Sequence, residues 1–187
     1  DVLYRLVEDG WPVAISAFYG VDGGPATIEY PSNLNPRLKG LEIKHYPKMS
    51  ESWGSDGIYY HGLNYQANAI FSMQDIWTLD PAFLSRIKVW LPYFPVDKEP
   101  IPINVIEKLR FAYKIICFSK FGQELLMDKG FYPHFIYEGT DVEIFKPQDK
   151  VEARKKLGVP QDVFLWLMIG ANKENPPRKG YQEALEA

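Results

Sequence analysis

Short apolar runs alternate with helical patterns along residues 87–147 of the chain. Runs of strand length and segments with apolar residues at helical spacing follow one another at 87–92, 105–113, 114–119, 121–129 and 131–137. Strands that alternate with helices are typical of βαβ units, in which neighbouring strands are parallel. The pattern therefore predicts an α/β protein whose parallel, Rossmann-like sheet is flanked by helices.

Residues that start and stop helices support these boundaries. Ser119 follows a strand run and is placed to cap the next helix by accepting a backbone N–H. Gly130 follows the last apolar turn of that helix, where a left-handed residue is usually needed. Asp80 and Pro81 form a cap and a first helical position for a short helix that ends near Arg86. These signals place loops, and with them any chemistry, at the ends of the strands.

The upstream part of the chain shows the same alternation more weakly. The pattern predicts a helix over 1–10, a largely helical segment over 55–68, and strands at 12–19, 41–45 and 69–73. Residues 26–40 are interpreted as mixed, and Pro31, Pro36 and Gly40 mark loops within them.

After Pro147 the pattern indicates the start of a second domain. A charged helix over 149–157 precedes the most apolar run of the chain, 163–169, and a further helix begins near Arg178. We interpret this as the first βα unit of a second Rossmann-like domain and predict two domains, 1–147 and 148–187. The chain starts at Asp1 rather than methionine and stops within a helical pattern. We therefore expect the first domain to lack its first strand and the second to be truncated.

Composition narrows the class of protein. Apolar residues make up 46% of the 187 residues, charged residues 24% and aromatic residues 15%, which is enough for a sizeable core. A net charge of −3 argues against a nucleic-acid-binding protein, which needs a basic surface. The single cysteine, Cys117, lies in an apolar run and is expected to be an inert buried thiol. No apolar run is long enough to span a membrane, and we predict a cytoplasmic location, with peripheral membrane attachment left open.

Several known site motifs are absent from the sequence. It has no GxxxxGK[ST] phosphate loop, no GxGxxG after a strand and no GxSxG. The three histidines lack the spacing of metal ligands, so no metal site is predicted.

Arg178 and Lys179 are the best local signal for ligand binding. They follow a predicted strand and a polar loop and open a helix, where backbone N–H groups and two cations favour a phosphate. A solvated surface pair is the alternative. Asp75 and Asp97 follow strands and are candidates for a base or a hydroxyl-orienting carboxylate, although helix caps and loop acids also occur there. Glu138 is either a cleft residue or an exposed loop acid. Four aromatic residues are candidates for a sugar-binding cleft or, alternatively, for the core: Trp77, Trp90, Tyr93 and Phe94.

Three segments together resemble the GT-B glycosyltransferases, closest to the family 4 or "group 1" type. They are IICFSKFGQELLMDKG, EGTDVEIFKP and, after a charged helix ending KKLGVP, RKGYQEALEA. The resemblance covers about residues 70–187. It implies transfer of a sugar from a nucleotide-diphosphate sugar to an acceptor (glycan, lipid or small molecule), with retention of anomeric configuration, no essential metal and no cofactor.

The resemblance also implies roles for particular residues. Arg178 and Lys179 would bind the donor phosphates, and Tyr93, Asp97, Glu138 and Gly139 are candidates for the cleft. The catalytic residues are left unassigned, because Glu138 stands where the family usually has histidine, and Ala171 where it often has arginine. Two alternatives remain open: a non-catalytic Rossmann-like binding module, and a GT-B-fold sugar-nucleotide epimerase.

Overall fold

The computed structural model of the chain describes residues 2–29, 39–50, 52–142, 144–171 and 179–186. Two compact units are present, Asp1–Thr140 and Asp141–Ala187. The resemblance to GT-B glycosyltransferases further implies that 1–147 is an acceptor-side domain and 148–187 the start of a nucleotide-sugar-binding domain, and this stays a prediction.

The first unit contains seven strands and five helices among the described residues. In chain order they are α1 (Val2–Glu8), β1 (Ala14–Ser16), β2 (Ala26–Glu29), β3 (Glu42–Tyr46), α2 (Ser55–Tyr65), β4 (Ile70–Met73), α3 (Pro81–Leu84), β5 (Trp90–Phe94), α4 (Ile103–Leu109), β6 (Ile116–Cys117), α5 (Lys120–Asp128) and β7 (His134–Phe135). A short 310 helix, Ile76–Thr78, lies between β4 and α3.

The main sheet is parallel and has the order β4-β5-β6-β7. Helices flank it, so the predicted α/β architecture with a parallel sheet is confirmed. Trp90 and Phe94 of β5 are 0% and 1% exposed, and they share a core with Leu109 of α4 and Leu126 of α5. The indole Nε1 of Trp90 donates a hydrogen bond of 2.8 Å to Oγ of buried Ser72 in β4, which satisfies the only polar atom of this side chain.

A second, three-stranded sheet has the order β1-β3-β2, with β1 parallel and β2 antiparallel to β3. The sequence analysis assigns no particular element to Ala26–Glu29, which form β2. All four side chains of β2 are exposed. Apolar and polar residues alternate over only these four positions, and the strand forms by pairing with β3.

The predicted helix caps are confirmed. Ser119 Oγ accepts from the Gly122 amide at 3.0 Å, and Asp80 Oδ1 accepts from the Ala82 amide at 2.8 Å. Gly130 has a φ of 82°, as the end of α5 requires. The strand predicted at 87–92 was shifted, because the Ile87 amide still donates to Leu84 O at 3.1 Å and belongs to the turn that ends α3.

The second unit contains α6 (Lys150–Leu157) and α7 (Tyr181–Glu186). The predicted buried strand at 163–169 was wrong. None of these residues is in a strand in the described part of the chain, and all seven side chains are exposed, Phe164 to 92%. A strand needs neighbours for its backbone groups and a layer over each face, and the described residues of this unit provide neither.

Replacing Leu126 in α5 tests the position of the core. Leu126 is 0% exposed, whereas its neighbour Met127 is 53% exposed. We expect Leu126→Ala to lower the free energy of unfolding by about 2–5 kcal/mol through lost burial and a residual cavity. Met127→Ala, on the same helix, should change it by no more than about 0.5 kcal/mol. Urea denaturation of both variants measures this, and equal effects would contradict the assigned face of α5.

Candidate functional site

The carboxyl edge of the parallel sheet brings several predicted residues to one side of the first unit. Asp75 follows β4, Tyr93 lies one residue before the end of β5, Asp97 is in the loop after β5, and Glu138 follows β7. Parallel strands end at the same edge, and ligands of open α/β sheets bind there. This edge is the candidate site.

Tyr93 anchors the edge rather than facing solvent. Its side chain is 5% exposed, and its hydroxyl donates to the Ile136 carbonyl at 3.1 Å, which links β5 to the residue after β7. The ring contacts Phe118 edge-on, with centroids 4.1 Å apart. Burial raises the pKa of the Tyr93 phenol, and the negative charge of Glu138 raises it further. Tyr93 is therefore protonated at neutral pH and holds two loops together.

The other predicted cleft residues lie in exposed loops. Asp97, Glu138 and Gly139 are all exposed. A Cβ added to Gly139 would meet no atom within 4 Å, so no close approach of the first unit requires glycine at this position. The structure brings Glu138 close enough to Tyr93 to act on its phenol, while Asp97 lies in the loop that follows β5.

The four aromatic residues considered for a sugar cleft divide clearly. Trp90, Tyr93 and Phe94 are buried and belong to the sheet or its core, as the alternative interpretation of these aromatic residues predicted. Trp77 is 55% exposed. Asp75 begins the 310 helix that carries Trp77, but its side chain does not cap that helix. The exposed carboxylate of Asp75 is thus not accounted for by the helix-cap interpretation.

A serine–histidine pair outside the main sheet was missed by the sequence analysis. Ser16 Oγ at the end of β1 lies 2.8 Å from Nδ1 of His61 in α2. The imidazole stacks on Tyr46 at 4.8 Å between centroids, and burial lowers its pKa while the charge of Asp56 opposes this. The two residues are 45 positions apart in the sequence, so no local motif signals the pair.

Gly57 allows this pair to form close to the helix backbone. A Cβ at Gly57 would lie 3.3 Å from Cε1 of His61 and 3.5 Å from Ser16 Oγ. A larger residue would therefore crowd both groups.

Cys117 is buried, as predicted for an inert thiol. It is 0% exposed in β6, and its Sγ donates to the carbonyls of Ser119 and His134 at 3.6 and 3.5 Å. Burial raises the pKa of the thiol, which opposes formation of the reactive thiolate.

The predicted phosphate-binding pair is only partly described. Arg178 lies outside the described residues, whereas Lys179 is exposed and directly precedes Gly180 and α7. Tyr181 of α7 donates its hydroxyl proton to the Gly170 carbonyl at 2.5 Å. Within the second unit, this bond links the end of the apolar run to the start of α7. The role of both cations stays a prediction.

No group of three or more histidine, cysteine, aspartate or glutamate side chains among the described residues is arranged to hold a metal ion. Within the same part of the chain, no helix has the length and apolar character needed to cross a membrane.

Comparison with known proteins gives one partial relationship. A segment of 37 residues is 43% identical to D-inositol 3-phosphate glycosyltransferase 1 of Catenulispora acidiphila. The segment is 20% of this chain and 9% of that protein. No protein-family model matches the chain, and no solved structure does. Part of the chain is thus similar to a glycosyltransferase.

Removing the Tyr93 hydroxyl tests its role as an anchor. We expect Tyr93→Phe to lower the free energy of unfolding by about 0.5–1.5 kcal/mol, because one hydrogen bond to the Ile136 carbonyl is lost. Tyr132, 88% exposed in the loop before β7, provides the control Tyr132→Phe. Chemical denaturation measures the free energy of unfolding of both variants. An unchanged value for Tyr93→Phe would show that the hydroxyl does not stabilise the fold.

Protonation of His61 should destabilise the protein. Burial lowers the folded-state pKa of His61, and of His45, below the ordinary value of 6.5. The unfolded chain therefore binds more protons below about pH 6.5, and the free energy of unfolding should fall as the pH drops through that value. His61→Gln should make this fall shallower, whereas His134→Gln, at an exposed position of β7, should not.

Denaturation curves between pH 7.5 and 5.5 measure this dependence. A free energy of unfolding that rises on acidification through this range would contradict the burial of both imidazoles.

Proposed function

We propose that the protein transfers a glycosyl group from a nucleotide-diphosphate sugar to an acceptor. The observation that carries this proposal is the partial similarity to D-inositol 3-phosphate glycosyltransferase 1. The parallel sheet with its flanking helices supports it, because it offers a ligand-binding edge of the kind that α/β enzymes use. A cytoplasmic location remains a prediction.

The donor's diphosphate is assigned to Arg178 and Lys179. Two cations form charge-assisted hydrogen bonds with phosphate oxygens, and Arg does so in a bidentate manner. Support for this assignment comes from the sequence and from the exposure of Lys179. The acceptor is assigned to the carboxyl edge of the first unit, where Asp97 and Glu138 are exposed and can accept hydrogen bonds from hydroxyl groups.

The proposed reaction breaks the bond between the anomeric carbon and the diphosphate oxygen, and forms a bond to an acceptor oxygen. The diphosphate leaves with the bonding electron pair, and the proton that the acceptor hydroxyl loses passes to this leaving group or to solvent. The two cations would stabilise the negative charge that develops on the leaving group. We propose retention of configuration and no metal requirement, and assign no residue as base.

A non-catalytic binding module is the second candidate. Glu138, where histidine is usual in the GT-B family, favours it, because a carboxylate cannot replace an imidazole as hydrogen-bond donor at neutral pH. Nucleotide binding without transfer to any acceptor would support this module.

Calorimetric titration of UDP and GDP into the protein, expressed from its complete reading frame, tests the donor assignment. We expect one nucleotide diphosphate to bind, and Arg178→Ala/Lys179→Ala to weaken it at least about tenfold through lost charge-assisted hydrogen bonds. Lys155→Ala/Lys156→Ala is the matched control, because it removes two adjacent exposed cations from α6.

Equal weakening in both double variants would show a general charge effect and contradict a phosphate site. Binding of neither nucleotide by the folded protein would overturn the donor assignment. A protein that binds nucleotide should then be given the matching sugar nucleotide with D-inositol 3-phosphate and neutral oligosaccharides, and product formation measured by mass spectrometry.

A further inference from the structure

Four aromatic side chains, of which three are exposed and one is half-buried, form a continuous surface where the loops after β1, β3 and β4 meet. The aromatic surface consists of Phe18, Tyr19, Trp53 and Trp77. Tyr19, Trp53 and Trp77 are 73%, 45% and 55% exposed. The ring centroids are 4.8 Å apart for Phe18–Tyr19, 6.2 Å for Phe18–Trp53 and 5.9 Å for Trp53–Trp77. Contiguous exposed apolar rings of this kind mark interaction sites.

Hydrogen bonds and packing hold this surface in place. The Gln74 amide donates to the Trp53 carbonyl at 3.3 Å, and Lys108 Nζ donates to the Trp77 carbonyl at 2.8 Å. Gly54 has a φ of 76°, and a Cβ there would lie 2.6 Å from Cβ of Phe18. Both tryptophans are therefore fixed through their backbones, and Phe18 packs directly on the start of α2.

Polar residues lie within two positions of two of these aromatic residues in the sequence. Asp75 is exposed at the start of the turn that carries Trp77, and Ser16, two residues before Phe18, is hydrogen-bonded to His61. Gly57 lies next to the Ser16–His61 pair, and Gly54 next to Phe18, so both groups adjoin the first turn of α2. The arrangement combines flat apolar faces with hydrogen-bonding groups at their margin.

We infer that this surface, whose Trp77 follows β4 at the carboxyl edge to which the acceptor is assigned, binds a neutral carbohydrate as that acceptor. The inference rests on the proposed glycosyl transfer. A sugar ring has an apolar C–H face, which packs on an aromatic ring, and hydroxyls at its edge, which donate to a carboxylate such as Asp75. A lipid chain or an apolar helix would leave the Asp75 carboxylate beside an apolar ligand, which is unfavourable.

Titration of neutral oligosaccharides tests this inference. The probes are cellohexaose, mannohexaose and chitohexaose, added to the complete protein while tryptophan fluorescence and calorimetric heat are followed. We expect at least one to bind, and Trp77→Ala and Tyr19→Ala each to weaken its binding about tenfold. Asp75→Asn, which keeps the shape of the side chain, should also weaken it.

Trp11→Ala and Tyr132→Ala are the matched controls. Trp11 is 63% exposed before β1, and Tyr132 is 88% exposed before β7, so both lie at the amino ends of strands. They should leave oligosaccharide binding unchanged. Near-UV circular dichroism of every variant confirms folding, and Tyr19→Ala serves as the second variant if Trp77→Ala does not fold.

Three outcomes would overturn the inference: no oligosaccharide binds, the controls weaken binding as much as the surface variants, or the surface variants have no effect. Trp77-dependent binding to phosphatidylcholine vesicles without oligosaccharide binding would also overturn it and identify a membrane contact. The UDP and GDP titration separates this inference from the proposed function. Nucleotide binding without oligosaccharide binding contradicts only the carbohydrate surface, and the reverse result contradicts only the donor assignment.

Discussion

Burial of β5 is the constraint on which the first unit depends. This strand pairs with β4 and with β6, and its residues Trp90, Pro92, Tyr93 and Phe94 are all buried. Pairing with β6 begins at Tyr93, so Pro92, which has no N–H, lies outside that ladder. Side chains of a central parallel strand are covered on both faces. The position of β5 therefore determines where the helices α4 and α5 pack. The carboxyl edge is a consequence of this arrangement.

Tyr93 shows how the sheet and the candidate site share residues. Its ring lies against Phe71 of β4 and Phe118 after β6, and its hydroxyl reaches the Ile136 carbonyl after β7. One side chain therefore spans the edge from the first strand of the sheet to the loop after the last. Glu138, which is exposed in the segment after β7, lies close enough to the Tyr93 phenol to help keep it protonated.

Helix caps and helix ends could be predicted because they depend on residues close in sequence. Strand pairing and the aromatic surface could not, because they depend on residues far apart in sequence. Ser119, Asp80 and Gly130 act within one turn of their own position, so the sequence identified their roles. The strand β2 is a segment of only four residues, all exposed, and it forms by pairing with β3. The run 163–169 is the opposite case, since its apolar residues predict a buried strand and the described part of the second unit supplies no partner for one. The aromatic surface also escaped prediction, because Trp53 and Trp77 meet across 24 positions of sequence while each looks isolated locally.

The distribution of charge decides which ligand suits which part of the chain. Asp75, Asp97 and Glu138 lie in the loops at the carboxyl edge, and each is exposed. A diphosphate placed beside these carboxylates would be repelled, and the repulsion would be strongest where water is excluded. A neutral, hydroxyl-rich molecule meets no such repulsion and gains hydrogen bonds from the same groups. The adjacent cations Arg178 and Lys179 have the opposite preference, because a guanidinium and an ammonium gain most from an anion. The proposed uncharged acceptor and the proposed diphosphate donor are therefore the pair of ligands that suits these two sets of residues.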